Sequence, residues 1–346
     1  MLDFFSITIC IKHEAFGSIR RKKTENGEIT SKRFSKTIYI NDVPVFVTSL
    51  NSGSKINIRC CPLKVLQGHN VFGTNSLKKL WTRMIVEVLK KLEIKLTTAQ
   101  LREWLRGEFD VDEIHITHRF PVKKYSMVNK AVFHIKRYAS ETLLTSSLQK
   151  GTGITLRSPH GLASWLFYDK YREFCDKRTK EQKYLQAVVG DLAGHAKELL
   201  ERLASKSIRA ELKLGKDYLR KHNLGRGKCW SSSKAIEVFT SELSLLMFDG
   251  IPALPELPEV YAGIDNPKLR SVVILWANGE DMTGHYAPST VRKYRKAIMD
   301  QLGIDILKDQ PVLETSRIKM SEVFDVGNML TGFPKWARRH PELALR

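Results

Sequence analysis

Tyr168 and Lys170, two residues apart, close a β-rich run at 163–170. Alternate side chains of a strand share a face, so Leu166, Tyr168 and Lys170 point one way. A phenol beside an ammonium is a nucleophile with an electrostatic partner, either for its phenolate or for charge developing on phosphorus. Tyr and Lys also pair on ordinary exposed sheet faces. A second stretch, Glu113-Ile-His-Ile-Thr-His-Arg119, carries two histidines. His115 and Thr117 share a strand face, while His118 faces the other side unless a bulge or strand end turns it. Neutral imidazole is a common metal ligand, but one strand supplies only part of a site. The run at 207–214 offers a carboxylate, with Arg209, Glu211 and Lys213 on one face. The same charged stripe would also suit a solvated sheet edge. A third stretch, 64–74, has Gly68 and Gly73 bracketing His69 and Asn70, and it lacks the spacing and the Gly-Lys-Ser/Thr ending of a phosphate-binding Walker loop.

The elements that must hold these residues follow from periodicity. Residues 2–12 alternate like a strand, the stretches 37–49 and 55–61 are β-like, and Asn51-Ser-Gly-Ser54 is a turn between them. A basic run at 20–23 leads to Asn26-Gly27, a hairpin-type turn signal. After Asn75-Ser76, a plausible cap, Leu77, Leu80, Trp81, Ile85, Val88, Leu89 and Leu92 recur at helical spacing. Thr97-Thr98 caps a shorter helix ending near Gly107. A strand over 111–120, a helix over about 125–139, and a hairpin of 151–157 with 163–170 around Ser158-Pro-His-Gly161 follow. A long helix at about 180–205, a strand at 207–214 and a helix at 215–222 complete this region. These elements predict an α+β fold with an antiparallel central sheet flanked by helices over 1–249. A Pro-rich linker at 250–257 then leads to a smaller, mainly helical module with a basic tail over 258–346.

Composition narrows the partner. The chain has 346 residues, with 57 Lys and Arg against 37 Asp and Glu, a formal charge of +20. Such an excess fits a polyanion, because each cation that meets a phosphate releases a counterion. The five cysteines are scattered without zinc spacing, and no apolar run is long enough to span a bilayer. A soluble protein of a reducing compartment is therefore expected. In the C-terminal module, Ser289-Thr290 precede Arg292, Lys293, Arg295 and Lys296, so a helix starting there would turn basic residues toward DNA with Val291, Tyr294 and Ile298 partly inward. A solvated basic helix would have the same pattern.

The run Pro62-Leu-Lys-Val-Leu-Gln-Gly-His-Asn-Val-Phe-Gly-Thr74 resembles the signature of the filamentous-phage gene II replication initiators. Tyr168-Asp-Lys170-Tyr-Arg-Glu173 resembles the segment with that family's nicking tyrosine and its lysine. The run Ser207-Ile-Arg209-Ala-Glu211-Leu-Lys213, continuing to Tyr218-Leu219 and Leu224, resembles the later Arg-x-Glu strand and helix. The resemblance touches four places across about 60–225, and a looser similarity runs through 272–306. Two positions depart from the family: His115 stands where a relative has aspartate, and Asn57 where one has glutamate. His118 moves the strand toward the His-hydrophobic-His pattern of related rolling-circle endonucleases, at a spacing one residue too long.

The resemblance implies site- and strand-specific nicking at a phage or plasmid origin. Tyr168 would attack phosphorus, with Lys170 assisting, leaving a 3′-OH primer and a 5′-phosphotyrosyl link that is later rejoined. It also implies Mg²⁺ or Mn²⁺ held by His115 and Glu211, with His118 and His69 as further candidates, and DNA contacts from Arg209, Lys213, Arg292, Lys293, Arg295 and Lys296. Implied partners are circular double-stranded DNA at the origin, a host helicase and polymerase, and a homodimer on the DNA, with no membrane, in the bacterial host cytoplasm. The alternative is a non-catalytic origin-binding regulator of the same fold. An RNA-binding or packaging protein would explain the charge but not Tyr168 and Lys170.

Overall fold

Strand-like alternation at the front of the chain builds half of one sheet. In the computed structural model, the described residues are 1–23, 29–74, 76–123, 146–149, 153–176, 179–246, 266–277, 280–302, 305–307 and 320–340, with isolated positions between these ranges. Among the described residues ten strands form the sheet: β1 (Leu2–Cys10), β2 (Ser18–Lys23), β3 (Ile29–Ile40), β4 (Val43–Leu50), β5 (Lys55–Cys60), β6 (Asp110–Pro121), β7 (Ser146–Gln149), β8 (Gly153–Arg157), β9 (Ala163–Tyr168) and β10 (Ser207–Leu214). Their order is β2-β3-β4-β5-β1-β6-β10-β9-β8-β7, and every described pairing is antiparallel. The fold is α+β. The β-like stretch 37–49 divides into two strands because Asn41 and Asp42 take φ of 50° and 62°, the twin left-handed residues of a tight hairpin. The Asn26-Gly27 turn, the Pro-rich linker at 250–257 and most of the helix expected at 125–139 lie outside the described residues.

One face of the sheet carries the main core. Ile7, Ile58, Val45, Ile114, Leu212 and Phe167 share it with Leu80, Trp81, Ile85, Val88 and Leu89 of the helix Leu77–Lys91 and with Phe239 of the helix Ser232–Ser244. Thr97 caps the helix Thr98–Leu105 in a reciprocal box with Gln100, whereas Ser76 occupies its cap position without a side-chain cap bond. The long helix expected at 180–205 is broken into Glu181–Val189 and Ala193–Ala204, because Gly190 turns the chain at φ 58°.

The C-terminal region departs from the expected division. The helices Pro267–Ala277, Met282–His285 and Pro288–Leu302 form a small core of their own around Leu269, Val273, Trp276, Met282, Val291 and Ile298. The tail does not stay with them. Met320, Val323 and Phe324 enter the main core, where Phe324 meets Phe120 and Phe167 at ring distances of 5.1 and 5.0 Å. Leu330 bonds across to Arg119 through its backbone, and Trp336 and Phe333 pack on Phe72. Met320, Val323, Phe324 and Ala337 are buried in clusters shared with residues 1–249, so this segment belongs with the first region.

Two irregularities in the β1–β6 pairing shape the opposite face. Leu2 pairs with Ile116 and Phe4 with His115, so Asp3 is an extra residue in β1. Ser6 pairs with Glu113 and Ile7 with Val111, so Asp112 is an extra residue in β6. A bulge inserts one residue and re-aims the strand, and here both inserted residues are aspartates. The second bulge lets Val111 and Ile114 both reach the core while Asp112 meets Thr8 and Asn57 on the other side, at 2.7 and 3.1 Å.

Candidate active site

On the face away from the main core, β1, β6, β10 and β9 converge on a cleft of about 290 Å³. Asp3, Phe4, Cys61, Lys64, Asn70, His115, Leu166, Tyr168, Glu173 and Glu211 line it. Register explains the convergence: Lys213 pairs with His115, Glu211 with Thr117 and Leu166, and Arg209 with Tyr168. Residues far apart in sequence therefore project side by side.

Tyr168 is the last residue of β9 and is almost buried, with its ring 5.6 Å from the guanidinium of Arg209. Burial pushes the phenol well above its usual value, opposed chiefly by Arg209, so the hydroxyl is protonated at neutral pH. Arg209 is fully buried, which corrects its expected place on a DNA-contacting surface. Its guanidinium is 3.0 Å from Asp3 and donates to the Asn70 carbonyl. Asn70 in turn donates to Asp3 at 2.7 Å. The loop after the helix Pro62–Gln67 thus reaches the tyrosine through Asn70, Asp3 and Arg209. Gly68, in the left-handed region at φ 76°, ends that helix and lies against the helix Glu181–Val189, where a Cβ would stand 2.9 Å from the Leu185 backbone.

Lys170 does not continue the strand beside Tyr168. Asp169 accepts from the Arg172 backbone and starts the helix Lys170–Cys175, so the shared strand face expected for Tyr168 and Lys170 ends at Tyr168. Lys170 is buried, donates to Glu173 at 2.9 Å and lies 4.0 Å from Glu181; Lys64 donates to Glu181 and is 4.0 Å from Glu173. Two lysines and two glutamates form a closed ion cluster at one wall of the cleft. Arg209 is the cation against the tyrosine ring.

His115 bridges two carboxylates, with Nδ1 2.9 Å from Glu211 and Nε2 2.9 Å from Glu113. Burial would lower its pKa, but both carboxylates favour the cation and the net shift is upward. Glu113 is the residue sequence reasoning missed. Its signal was the i, i+2 spacing with His115 around Ile114, which puts both on one strand face. Lys213 is 3.7 Å from Glu211 at the cleft margin.

The other two histidines do not reach the cleft. His118 sits on the core face, its ring 4.6 Å from Phe239, and burial drives its pKa well down. The β6 bulge lies before His115, so no shift in alternation turns His118 back to the side of His115. His69 is completely buried, and burial lowers its pKa to about 3. Its Nδ1 accepts from the Val71 backbone at 3.3 Å, so the proton resides on Nε2, which donates to the Leu343 carbonyl at 2.9 Å. Both nitrogens are engaged in tying down the loop and the tail. Arg295, expected toward DNA, is held by Asp305 through its Nε at 2.6 Å and through a second nitrogen. Arg292, Lys293 and Lys296 are exposed on the same helix.

Gly153 pairs with Tyr168, and a Cβ at Gly153 would lie 2.5 Å from both the Tyr168 Cβ and the Phe167 carbonyl oxygen. Gly153→Ala is expected to lower stability by about 1–3 kcal/mol and to displace the tyrosine. Urea unfolding reads the first effect, and a wild-type midpoint would show that the strand end accommodates the methyl.

Comparison with known proteins places these features in a family. A family model for the N-terminal region of the phage gene II replication-associated protein matches residues 1–233. That range covers every described strand and every residue lining the cleft. The gene II replication-associated protein of Enterobacteria phage I2-2 is 26% identical over 250 residues, 71% of this chain and 67% of that protein.

Proposed function

The chain belongs to the phage gene II replication-associated protein family, and from that premise we propose that it nicks one DNA strand at a phage or plasmid replication origin and later rejoins it. The observation that carries this reading is the placement of Tyr168, against Arg209, in one cleft with His115 and Glu211. The phenolic oxygen attacks phosphorus, forming a Tyr–O–P bond as the bond to the 3′ oxygen breaks. The proton lost by the phenol is balanced by the one gained at the departing 3′ oxygen. A free 3′-OH primer and a 5′-phosphotyrosyl link result, and reversal of the same exchange reseals the strand with no outside energy source. Arg209 favours the phenolate and the negative charge built up in the transition state. The Lys64–Glu173–Lys170–Glu181 cluster holds the start of the helix that follows the tyrosine.

Two carboxylates and an imidazole, Glu113, His115 and Glu211, are a donor set suited to Mg²⁺ or Mn²⁺. Among the described residues no three His, Cys, Asp or Glu side chains already surround one point, and these three are paired with one another. Glu113, His115 and Glu211 would hold the ion in place of the hydrogen bonds they now make to one another. When bound, a divalent ion would polarise the scissile phosphate. Glu113→Gln and Glu211→Gln are each expected to raise the metal concentration for half-maximal nicking by about tenfold or more. An unchanged metal titration for either variant removes that residue from the site.

Circular origin DNA is the proposed substrate, with Arg292, Lys293 and Lys296 as duplex contacts and Lys213 at the cleft margin; a host helicase and polymerase would extend the primer. No helix among the described residues is long and apolar enough to cross a membrane. The decisive experiment is incubation with supercoiled origin plasmid and Mg²⁺ or Mn²⁺. Open circles bearing protein on the 5′ end are expected. A protein that shifts the origin yet never relaxes it is instead a non-catalytic regulator.

A further inference from the structure

Two large aromatic side chains lie bare on the front half of the sheet, outside the cleft: Phe46 is 54% exposed and Tyr39 57%. Their register ties them to the site. Phe4 pairs with His115 and the two rings are 4.7 Å apart. Arg59 holds its guanidinium 5.5 Å over the Phe4 ring, and Arg59 pairs with Ser6 on one side and Phe46 on the other. Phe46 pairs with Thr37, two residues before Tyr39. Directly paired residues share a face, so a line runs across β6, β1, β5, β4 and β3: His115, Phe4, Arg59, Phe46 and Tyr39. At about 4.8 Å per strand the four steps span ~19 Å, the reach of a few extended nucleotides. The core face of the same strands is filled by Ile38, Val45, Val47 and Ile58, so burial does not account for the outward rings.

The line sets rings on both sides of one guanidinium, Arg59, on a chain of formal charge +20. That pattern complements a ligand with both π faces and regularly spaced negative charge. Unpaired nucleic acid has both, whereas a duplex keeps its bases inside the stack. A second copy of this chain would bring further positive charge against Arg59. Arg59 also donates to Glu113 at 2.9 Å, which joins the line to the cleft. We propose that this stripe is a track for the unpaired DNA strand beside the nick, its bases stacking on Phe4, Phe46 and Tyr39 and its phosphates meeting Arg59. The assignment of the strand to DNA rests on the strand-transfer reading above.

The test uses the full chain and a fluorescein-labelled oligothymidylate of about 15 nucleotides, with a mixed-sequence duplex of equal length and an oligouridylate as controls, read by anisotropy. Phe46→Ala and Tyr39→Ala are each expected to weaken oligothymidylate binding about tenfold and the pair about 100-fold. Duplex affinity should stay within about twofold, and the thermal midpoint should be unchanged because both rings are exposed. Equal loss on the duplex, or wild-type affinity for the single strand, overturns the track. Tighter wild-type binding of oligouridylate overturns its assignment to DNA, and a change in sedimentation with Phe46→Ala marks a protein interface instead. Nicking is scored separately on supercoiled plasmid. Normal nicking by the wild-type chain with unaltered single-strand binding in the variants sinks the track alone, whereas absent nicking by the wild-type chain with the expected binding losses in the variants sinks the strand-transfer reading alone.

Discussion

Tyr168→Phe is expected to reduce nicking by about 10³-fold or more while leaving folding and origin binding at wild-type levels. The substitution removes one oxygen and keeps the ring that packs 5.6 Å from the Arg209 guanidinium, so the floor of the cleft stays filled. Denaturing electrophoresis of labelled origin DNA after reaction should show a protein-linked band for wild type and none for the variant. A variant that nicks at the wild-type rate moves the nucleophile elsewhere. Tyr171 is then the next tyrosine to test: it lies in the helix after the strand, with its ring 5.0 Å from that of Tyr125. Wild-type origin binding by Tyr168→Phe is part of the expectation, since its loss would point to a collapsed site rather than a missing nucleophile.

Arg209→Met should have the largest effect on stability, about 3–5 kcal/mol at neutral pH, and should suppress nicking as well. Arg209 and Asp3 are a buried pair with side-chain exposures of 0% and 9%, and removing the cation strands a carboxylate. Asn70 and Cys61 still donate to Asp3 but bring no charge. The pH dependence identifies the cause. Burial alone would raise the Asp3 pKa, but Arg209 foremost, then Lys64 and Lys170, hold it well below the usual aspartate value. A carboxyl depressed in the native state contributes stability that is complete above its unfolded pKa and is lost as pH falls through the native value. Without Arg209 burial is less opposed, the native pKa rises, and the carboxylate costs stability until acid protonates it. The gap between wild type and variant in urea unfolding should therefore be widest near pH 7 and narrow toward pH 4. A gap independent of pH would clear Asp3 of the effect. Adding Asp3→Asn to Arg209→Met should recover much of the loss, because the pair acts as a unit.

Periodicity alone located most of the framework. The apolar residues from Leu77 to Leu89 mark a helix wherever they occur, and alternation marked β1, β5, β6 and β10 within a residue or two. Short-range chemistry also misled at defined points. Asn41-Asp42 divide one β-like stretch into a hairpin, Asp169 caps a helix that takes Lys170 off the strand, and Gly190 breaks a helix that reads as continuous. Each is a local backbone choice that several residue types would have allowed either way. The tail was misplaced for a different reason: Met320, Val323 and Phe324 gain a core only from residues as distant as Phe120 and Phe167.

By itself the sequence determined the family and the nucleophile candidate, because the run 62–74 and the Tyr168 segment are local strings whose identity survives without a fold. The tertiary structure decided which charges meet. Alternation tells which residues of a strand share a face, but a single inserted residue reverses it, and the inserted residues here are Asp3 and Asp112. Cross-strand register, which no local string encodes, brings Glu211 to the His115 imidazole that already sits beside Glu113 on its own strand, and puts Arg209 under Tyr168, while alternation leaves His118 in the core. His69 keeps its place in the signature run for a reason visible only in three dimensions: its two nitrogens secure the loop and the returning tail, and through Asn70, Asp3 and Arg209 that loop supports the tyrosine.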